Sequence, residues 1–302
     1  MSREQVKEAF SQAVDLMYQD LATVGQPPVV DPDPDTKPKP SGTFKLYHQM
    51  RYKNQPDLRK FGPEPLPIIY QKAFFDGDSP DKKSTDPAKR YKRASESKTK
   101  ALAKKASGLT VIDIEAWWTG NGAAMDPRAI DNFVEVLEWW KEAGGPPVGY
   151  YSTIPIRNWK APIEGGSRFA TWQKANDMLR PVGRLVDATF PSCYTFYEDE
   201  DPYDGEGWEK YNKFQISEAK RIAPDADCFV YLWPEYHNSN DEREGDPIEP
   251  GFMRGQLEAC VKNGADGVVF WTHSSEKNVD FKDIPPWWDE VVDFAKDHDL
   301  AS

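Results

Sequence analysis

Leu109-Thr110-Val111-Ile112-Asp113-Ile114-Glu115-Ala116-Trp117-Trp118 is the stretch on which the reading of this 302-residue chain turns. Its apolar run reads as a buried strand, and in a strand successive side chains face opposite ways. Val111, Asp113 and Glu115 then share one face while Ile112 and Ile114 share the other. Two carboxyls two residues apart on one face sit close enough to push their proton affinities apart, so one stays an acid near neutrality while the other is ionised. At the C-terminal end of a strand, beside an aromatic pair, that arrangement suits cleavage of a glycosidic bond. A solvated strand end with two surface acids is the plain alternative.

Outward from this strand, short apolar runs alternate with helical patterns. Strand candidates are Phe44–Tyr47, Leu66–Tyr70, Leu109–Glu115, Pro147–Ser152, Leu185–Pro191, Cys228–Trp233 and Gly267–Trp271. Helix candidates lie near 86–106, 128–143, 168–180, 206–222, 250–263 and 286–298. Asp126-Pro127, Ser167 and Pro250 are start signals, and Gly144-Gly145 and Asn263-Gly264 are stops. Repeated βα units with buried strands predict an α/β fold, a TIM-type (β/α) barrel of seven strands where the full form has eight. A doubly wound open sheet is the structural alternative, but no glycine-rich phosphate loop follows the first strand.

The barrel is expected to span 43–302. Before it, 1–25 reads as an amphipathic helix with Val6, Phe10, Ala13, Val14, Met17 and Leu21 on one side, and 26–42 as a stiff Pro-rich linker. The helix either serves attachment or oligomerisation or packs on the main domain.

Composition narrows the partners. A formal charge of −12 argues against general binding to nucleic acid or an anionic membrane, though not against one anionic polysaccharide in a locally basic groove. No apolar run reaches the roughly 18 residues a membrane span needs. Met1-Ser-Arg-Glu-Gln-Val-Lys is too polar to open a secretory leader, which leaves the compartment open. Cys193, Cys228 and Cys260 have no metal-ligand spacing and cannot all pair. His48, His237, His273 and His298 are scattered, so neither a metal nor a cofactor is expected. Both His237 and His273 fall at strand ends, where a loop role or a place in the groove is open. Glu198, Asp199, Asp201 and Asp204 depart from a calcium-loop spacing and read as a solvated acidic loop. The 11 Trp are the informative excess, because flat rings stack on pyranose faces; core packing is the bland account.

In a barrel of this kind chemistry sits at the C-terminal ends of the strands. There the sequence collects Trp117 and Trp118, Tyr150 and Tyr151, Tyr194, the run Trp233-Pro234-Glu235-Tyr236-His237, and Trp271. Five strands ending this way in succession point to a carbohydrate site rather than to packing.

These residues, in this order, resemble the hyaluronidases of the substrate-assisted, retaining kind. The likeness rests on Val-Ile-Asp-x-Glu followed by Trp (111–118), Gly-Tyr-Tyr (149–151), Pro-Ser-x-Tyr (191–194), Trp-x-x-Tyr (233–236) and Ala-Asp-Gly-Val-Val-Phe-Trp (265–271), and covers roughly residues 44–275. It implies an endo-acting enzyme without a protein nucleophile, in which the substrate's own acetamido oxygen attacks the anomeric carbon. Asp113 would hold the acetamido N–H, and Glu115 would act as acid and then base. Tyr194 and Tyr236 would hydrogen-bond around the acetamido group, and Trp271 would wall the acetyl methyl. Trp117, Trp118, Tyr150, Tyr151, Trp233 and Glu235 would complete the substrate surface. The likeness also implies action outside the cell.

The chain departs from that pattern at Ala116 and Thr119, where family members commonly carry a second acid and an Arg, and in lacking the disulfides of animal members. Lys45, Arg51, Lys53, Arg157 and Lys160 could supply groove charge, but each reads more readily as a solvated surface residue. An N-acetylhexosamine polysaccharide is therefore the firmer substrate and hyaluronan the narrower one. Two other readings stay open: a two-carboxylate glycosidase using Glu115 and Glu235, and a non-catalytic glycan-binding barrel.

Overall fold

The computed structural model describes residues 43–118, 125–196, 206–273 and 278–301. The expected N-terminal helix and linker (1–42) and the acidic loop (197–205) lie outside the described residues. The strands are β1 Lys45–His48, β2 Glu64–Pro65, β3 Ile68–Tyr70, β4 Thr110–Asp113, β5 Val148–Tyr150, β6 Ala188–Thr189, β7 Asp227–Leu232 and β8 Gly267–Phe270. All seven expected strands are present, and a short strand outside the expected runs, β2, precedes the second of them. Pro65 and Pro67 lack the N–H that a continuous ladder would need there.

Every strand pair is parallel, in two hydrogen-bonded sets ordered β2-β1-β8-β7-β6 and β3-β4-β5. Backbone hydrogen bonds continue across both seams. At one, Leu66 N donates to His48 O (3.0 Å) and Val111 N to Pro67 O (2.9 Å), so segment 64–70 bonds β1 on one side and β4 on the other. At the second, Tyr151 bridges Phe190, with Asp187 N to Val148 O and Ser152 N to Phe190 O both at 2.8 Å. The sequence's seven-stranded (β/α) barrel is the architecture found.

Helices α1 Pro87–Arg90, α2 Glu96–Lys105, α3 Pro127–Glu142, α4 Lys160–Glu164, α5 Gly166–Asp177, α6 Arg180–Gly183, α7 Glu206–Ile222, α8 Pro250–Lys262 and α9 Trp287–Asp297 fill the connections. The single helix expected near 86–106 is two. Between them the Lys92 carbonyl accepts from Trp117 Nε1 (3.1 Å) instead of from a helical N–H. The helix expected at 168–180 is found as α5, which opens on Gly165 and Gly166 at φ 72° and 57°, and α6 follows it from Arg180. α3 starts as its sequence signals say: Asp126 accepts from Arg128 N (2.9 Å) with Pro127 in the first turn.

The strand alternation sorts the core. Val111 packs with Tyr151, Phe190, Tyr231 and Val269 in one buried cluster. Ile112 and Ile114 belong to another, with Phe133, Leu137 and Trp140 of α3.

Gly149 shows how tightly the β5–β6 seam is drawn: a Cβ there would stand 1.9 Å from the Ala188 carbonyl oxygen. Because backbone rather than a flexible side chain would have to move, Gly149→Ala is expected to lower stability by about 2–4 kcal/mol. Urea denaturation of the variant beside the parent checks this.

Candidate active site

Asp113 is the last residue of β4. The sequence reading kept Glu115 in the strand, but the strand stops short of it. Ile114 sits at φ −126°, ψ 83°, and Glu115–Trp117 form one 3-10 turn. Both carboxyls still face one cleft, of about 330 Å³, because Ile114 and Trp117 are buried behind them. Asp113, Glu115 and Tyr70 also line an adjoining cavity of about 370 Å³ with Gln71, Pro80 and Lys82. The acids therefore stand where two hollows meet.

Tyr151, Tyr194, Tyr231, Trp233 and Trp271 wall the main cleft. Trp271 stacks on Tyr194 (5.8 Å between ring centres, 22°) and meets Trp233 edge-on (5.2 Å, 86°), which fixes a corner of flat apolar faces. Tyr151 donates to Ser192 Oγ (3.2 Å), whereas the buried Tyr231 hydroxyl and Trp233 Nε1 find no hydrogen-bond partner among the described residues. Burial pushes the Tyr151 phenol up to about 12 and raises those of Tyr194 and Tyr231 further, so all three are neutral donors at any working pH.

Asp113 departs from the expected division of labour. Burial, and then the charge of Glu115, push its carboxyl up to about 7, so in the free protein it is Asp113 that is pressed toward the neutral form.

Several expected substrate contacts lie elsewhere. Trp117 is wholly buried, edge-on to Phe75 (5.6 Å) and Phe133 (5.0 Å); the turn that carries it points it into the outer core. Tyr150 is also core, its hydroxyl donating to Phe133 O (2.9 Å), because it alternates with the inward Tyr151. Trp118 lines neither cavity; it backs the wall, stacked at 6.5 Å on Tyr151. Tyr236 lines neither cavity and donates to Glu249 (2.9 Å), and Glu235 bridges Pro247 in the same loop. Conversely, Arg157, read as a surface residue, lies in the cleft with its guanidinium over Trp118 (5.5 Å) and Phe196 (5.0 Å). His237, Asn238 and His273 line it as well. For the two histidines, position at a strand end was the available signal; Arg157, one of five possible groove cations in the sequence, is brought in by the loop after β5.

No protein-family model and no curated protein matches the chain. Among solved structures it is similar to bee venom hyaluronidase, at TM-score 0.59 and 16% identity over 84% of this chain and 96% of that one. It is also similar to the bee venom enzyme in complex with a hyaluronic acid tetramer, at TM-score 0.55 and 16% identity over 84% and 95%. The fold is that of the hyaluronidase barrel. Among the described residues no group of three or more His, Cys, Asp or Glu side chains is placed to hold a metal ion, and no helix is long and apolar enough to cross a membrane.

The displaced Asp113 gives a pH signature. Its folded value exceeds its unfolded one, so between about pH 4 and pH 7 the native state binds more protons and stability falls as pH rises. Asp113→Asn removes that loss. The variant should match the parent near pH 4 and exceed it by at most ~4 kcal/mol near pH 8, read by denaturation at both pH values. Equal stability at both would mean that burial leaves this carboxyl undisturbed.

Proposed function

We propose that this protein is a glycoside hydrolase that cleaves β-linked N-acetylhexosamine polysaccharide by a substrate-assisted, retaining route. One observation carries the reading: Asp113 and Glu115 share the cleft, and no other described carboxylate lines it or the adjoining hollow. A scheme with a protein nucleophile needs a second carboxylate across the scissile bond, and Glu235 stands away in its loop. With the substrate's acetamido oxygen as nucleophile, the two acids suffice.

The proton then has a natural course. Asp113 is pressed toward neutrality while the cleft is free of sugar. An acetamido N–H docking on it favours its ionised form, which stabilises the positive charge of the cyclising intermediate; the proton Asp113 gives up passes to Glu115, which delivers it to the leaving oxygen. Tyr194 donates to the acetamido region, and Trp271 with Trp233 supplies the apolar wall. Tyr151 stands with them in that wall.

Cleavage within the chain is supported by the two hollows, which leave room for sugar units on either side of the acids. Arg157 supports an acidic unit nearby: its contacts among the described residues are aromatic faces, leaving its donors for a substrate carboxylate. A hyaluronan- or chondroitin-like glycan fits that cation, as the hyaluronic acid tetramer fits the bee enzyme. Its place of action would then be outside the cell.

The test offers hyaluronan, chondroitin, chitin oligomers and deacetylated controls, with products sized by mass. N-acetylated polymers should be cut to oligosaccharides, a thiazoline mimic should inhibit, and deacetylated controls should resist; their efficient hydrolysis would refute the scheme. Glu115→Gln should lower turnover about a hundredfold or more with binding retained. A purely glycan-binding barrel would bind these polymers and show no turnover in the parent. Arg157→Ala should weaken KM by about tenfold for uronate-bearing polymers and leave chitin oligomers unchanged, since a charge-assisted hydrogen bond contributes roughly 1.5–3 kcal/mol.

A further inference from the structure

Beyond the acids and the aromatic wall, one polar ring in the cleft is fixed more firmly than a loop residue needs to be. We propose that His237 is a substrate-reading residue whose Nε2–H donates to an oxygen of the sugar unit lying against Tyr194 and Trp233. The inference rests on the glycan reading above and adds a specificity contact to it.

Three observations converge on the ring. The backbone N–H of Ser239 donates to His237 Nδ1 (3.1 Å), and the Ser239 hydroxyl lies 2.9 Å from the same nitrogen. A backbone N–H cannot accept, so Nδ1 must present its lone pair and the ring's proton sits on Nε2. That nitrogen has no hydrogen-bond partner among the described residues, on a ring that lines the cleft.

The ring is also held on its sides. Phe196 meets it at 4.6 Å and 61°, Trp233 at 5.6 Å and 90°, and Tyr194 lies along it at 6.2 Å and 28°. Its main chain is tied from both directions, His237 N to Thr195 O and Asn240 N to His237 O, each at 2.8 Å. Rotation to bring the other nitrogen outward would break the Ser239 contacts and collide with this packing.

Charge completes the selection. Burial and the nearby Arg157 cation push the imidazole down to about 4, so the ring stays neutral through the ordinary working range. It is therefore a single N–H donor without charge and without a free acceptor. Unlike the tyrosine hydroxyls around it, it can accept nothing: it rewards a hydroxyl or carbonyl oxygen and rejects an N–H presented at the same place. Loss of such a donor raises KM rather than slowing the chemical step.

The test uses the full chain and the N-acetylated polymer that the parent cleaves best. His237→Phe keeps a flat ring and removes the donor; His237→Gln returns an amide N–H near the Nε2 position. The phenylalanine variant should raise KM about fivefold with kcat within about twofold, as expected for one neutral hydrogen bond, and the glutamine variant should recover much of that loss. Binding of an N-acetylated oligosaccharide to Glu115→Gln, with and without His237→Phe, should show the same ratio by calorimetry. Nitrogen-15 NMR of the free protein should place the ring proton on Nε2. A parent that cleaves the polymer while His237→Phe keeps its KM would overturn this inference alone, as would a proton found on Nδ1. A parent that neither cleaves nor binds any glycan of the panel would overturn the glycosidase reading and this contact with it.

Discussion

The site depends on a change of backbone conformation at Ile114. A strand carried two residues further would have run Glu115 up the barrel wall. Instead the chain bends into a single 3-10 turn with apolar side chains on its far side. Ile114 and Trp117 are buried to 1% and 0% exposure, and the indole of Trp117 is pinned by the Lys92 carbonyl and by the edges of two phenylalanine rings. Releasing that indole would expose one of the largest apolar surfaces in the molecule, so the turn has little freedom to open. Because its back is fixed, its front is fixed too, and both carboxyls must face the cleft. The tryptophan that looks in the sequence like a sugar platform is the anchor that aims the acids.

From that constraint the electrostatics follow. Two acids confined to one mouth cannot both ionise without cost, and burial together with the charge of Glu115 displaces Asp113. The neighbouring phenols add no negative charge to that mouth, since burial keeps them neutral. They remain hydrogen-bond donors of fixed position in a site where aromatic walls limit water, the condition under which preorganised donors act most strongly on developing charge. Arg157 is the cation lining the main cleft among the described residues, and its aromatic bedding holds it without neutralising it.

How much of this was legible depends on what kind of signal each residue carried. The strands were plain, since each is an apolar run between turn signals, whereas β2 at Glu64–Pro65, charged and proline-bearing, carried no such signal. The division between Tyr150 and Tyr151 was readable as well: the alternation that put Asp113 on the inner face of β4 puts Tyr151 inward and Tyr150 outward on β5. Trp117 against Trp118 was not, because a 3-10 turn erases the period of two just where the pair begins. Arg157 and His237 could be named from the sequence only among alternatives, for a different reason. They lie on loops separated by 80 positions, and only closure of the barrel brings both beside Phe196.

Glu235 and Tyr236 were both named for the substrate surface, and the structure places them elsewhere. The segment after β7 folds back on itself: Glu235 bridges Pro247, Tyr236 N donates to Asp246 O (2.9 Å), and the Tyr236 hydroxyl donates to Glu249. Arg243 closes the knot, its guanidinium 3.9 Å from the centre of the Tyr236 ring and 2.8 Å from a Glu249 oxygen. Ion pairs this exposed contribute little one at a time. Together with the backbone bonds they set the direction in which the loop leaves the barrel, and the next residue along it is His237. The polar cluster thus serves the cleft at one remove, as the mount that holds an imidazole in place.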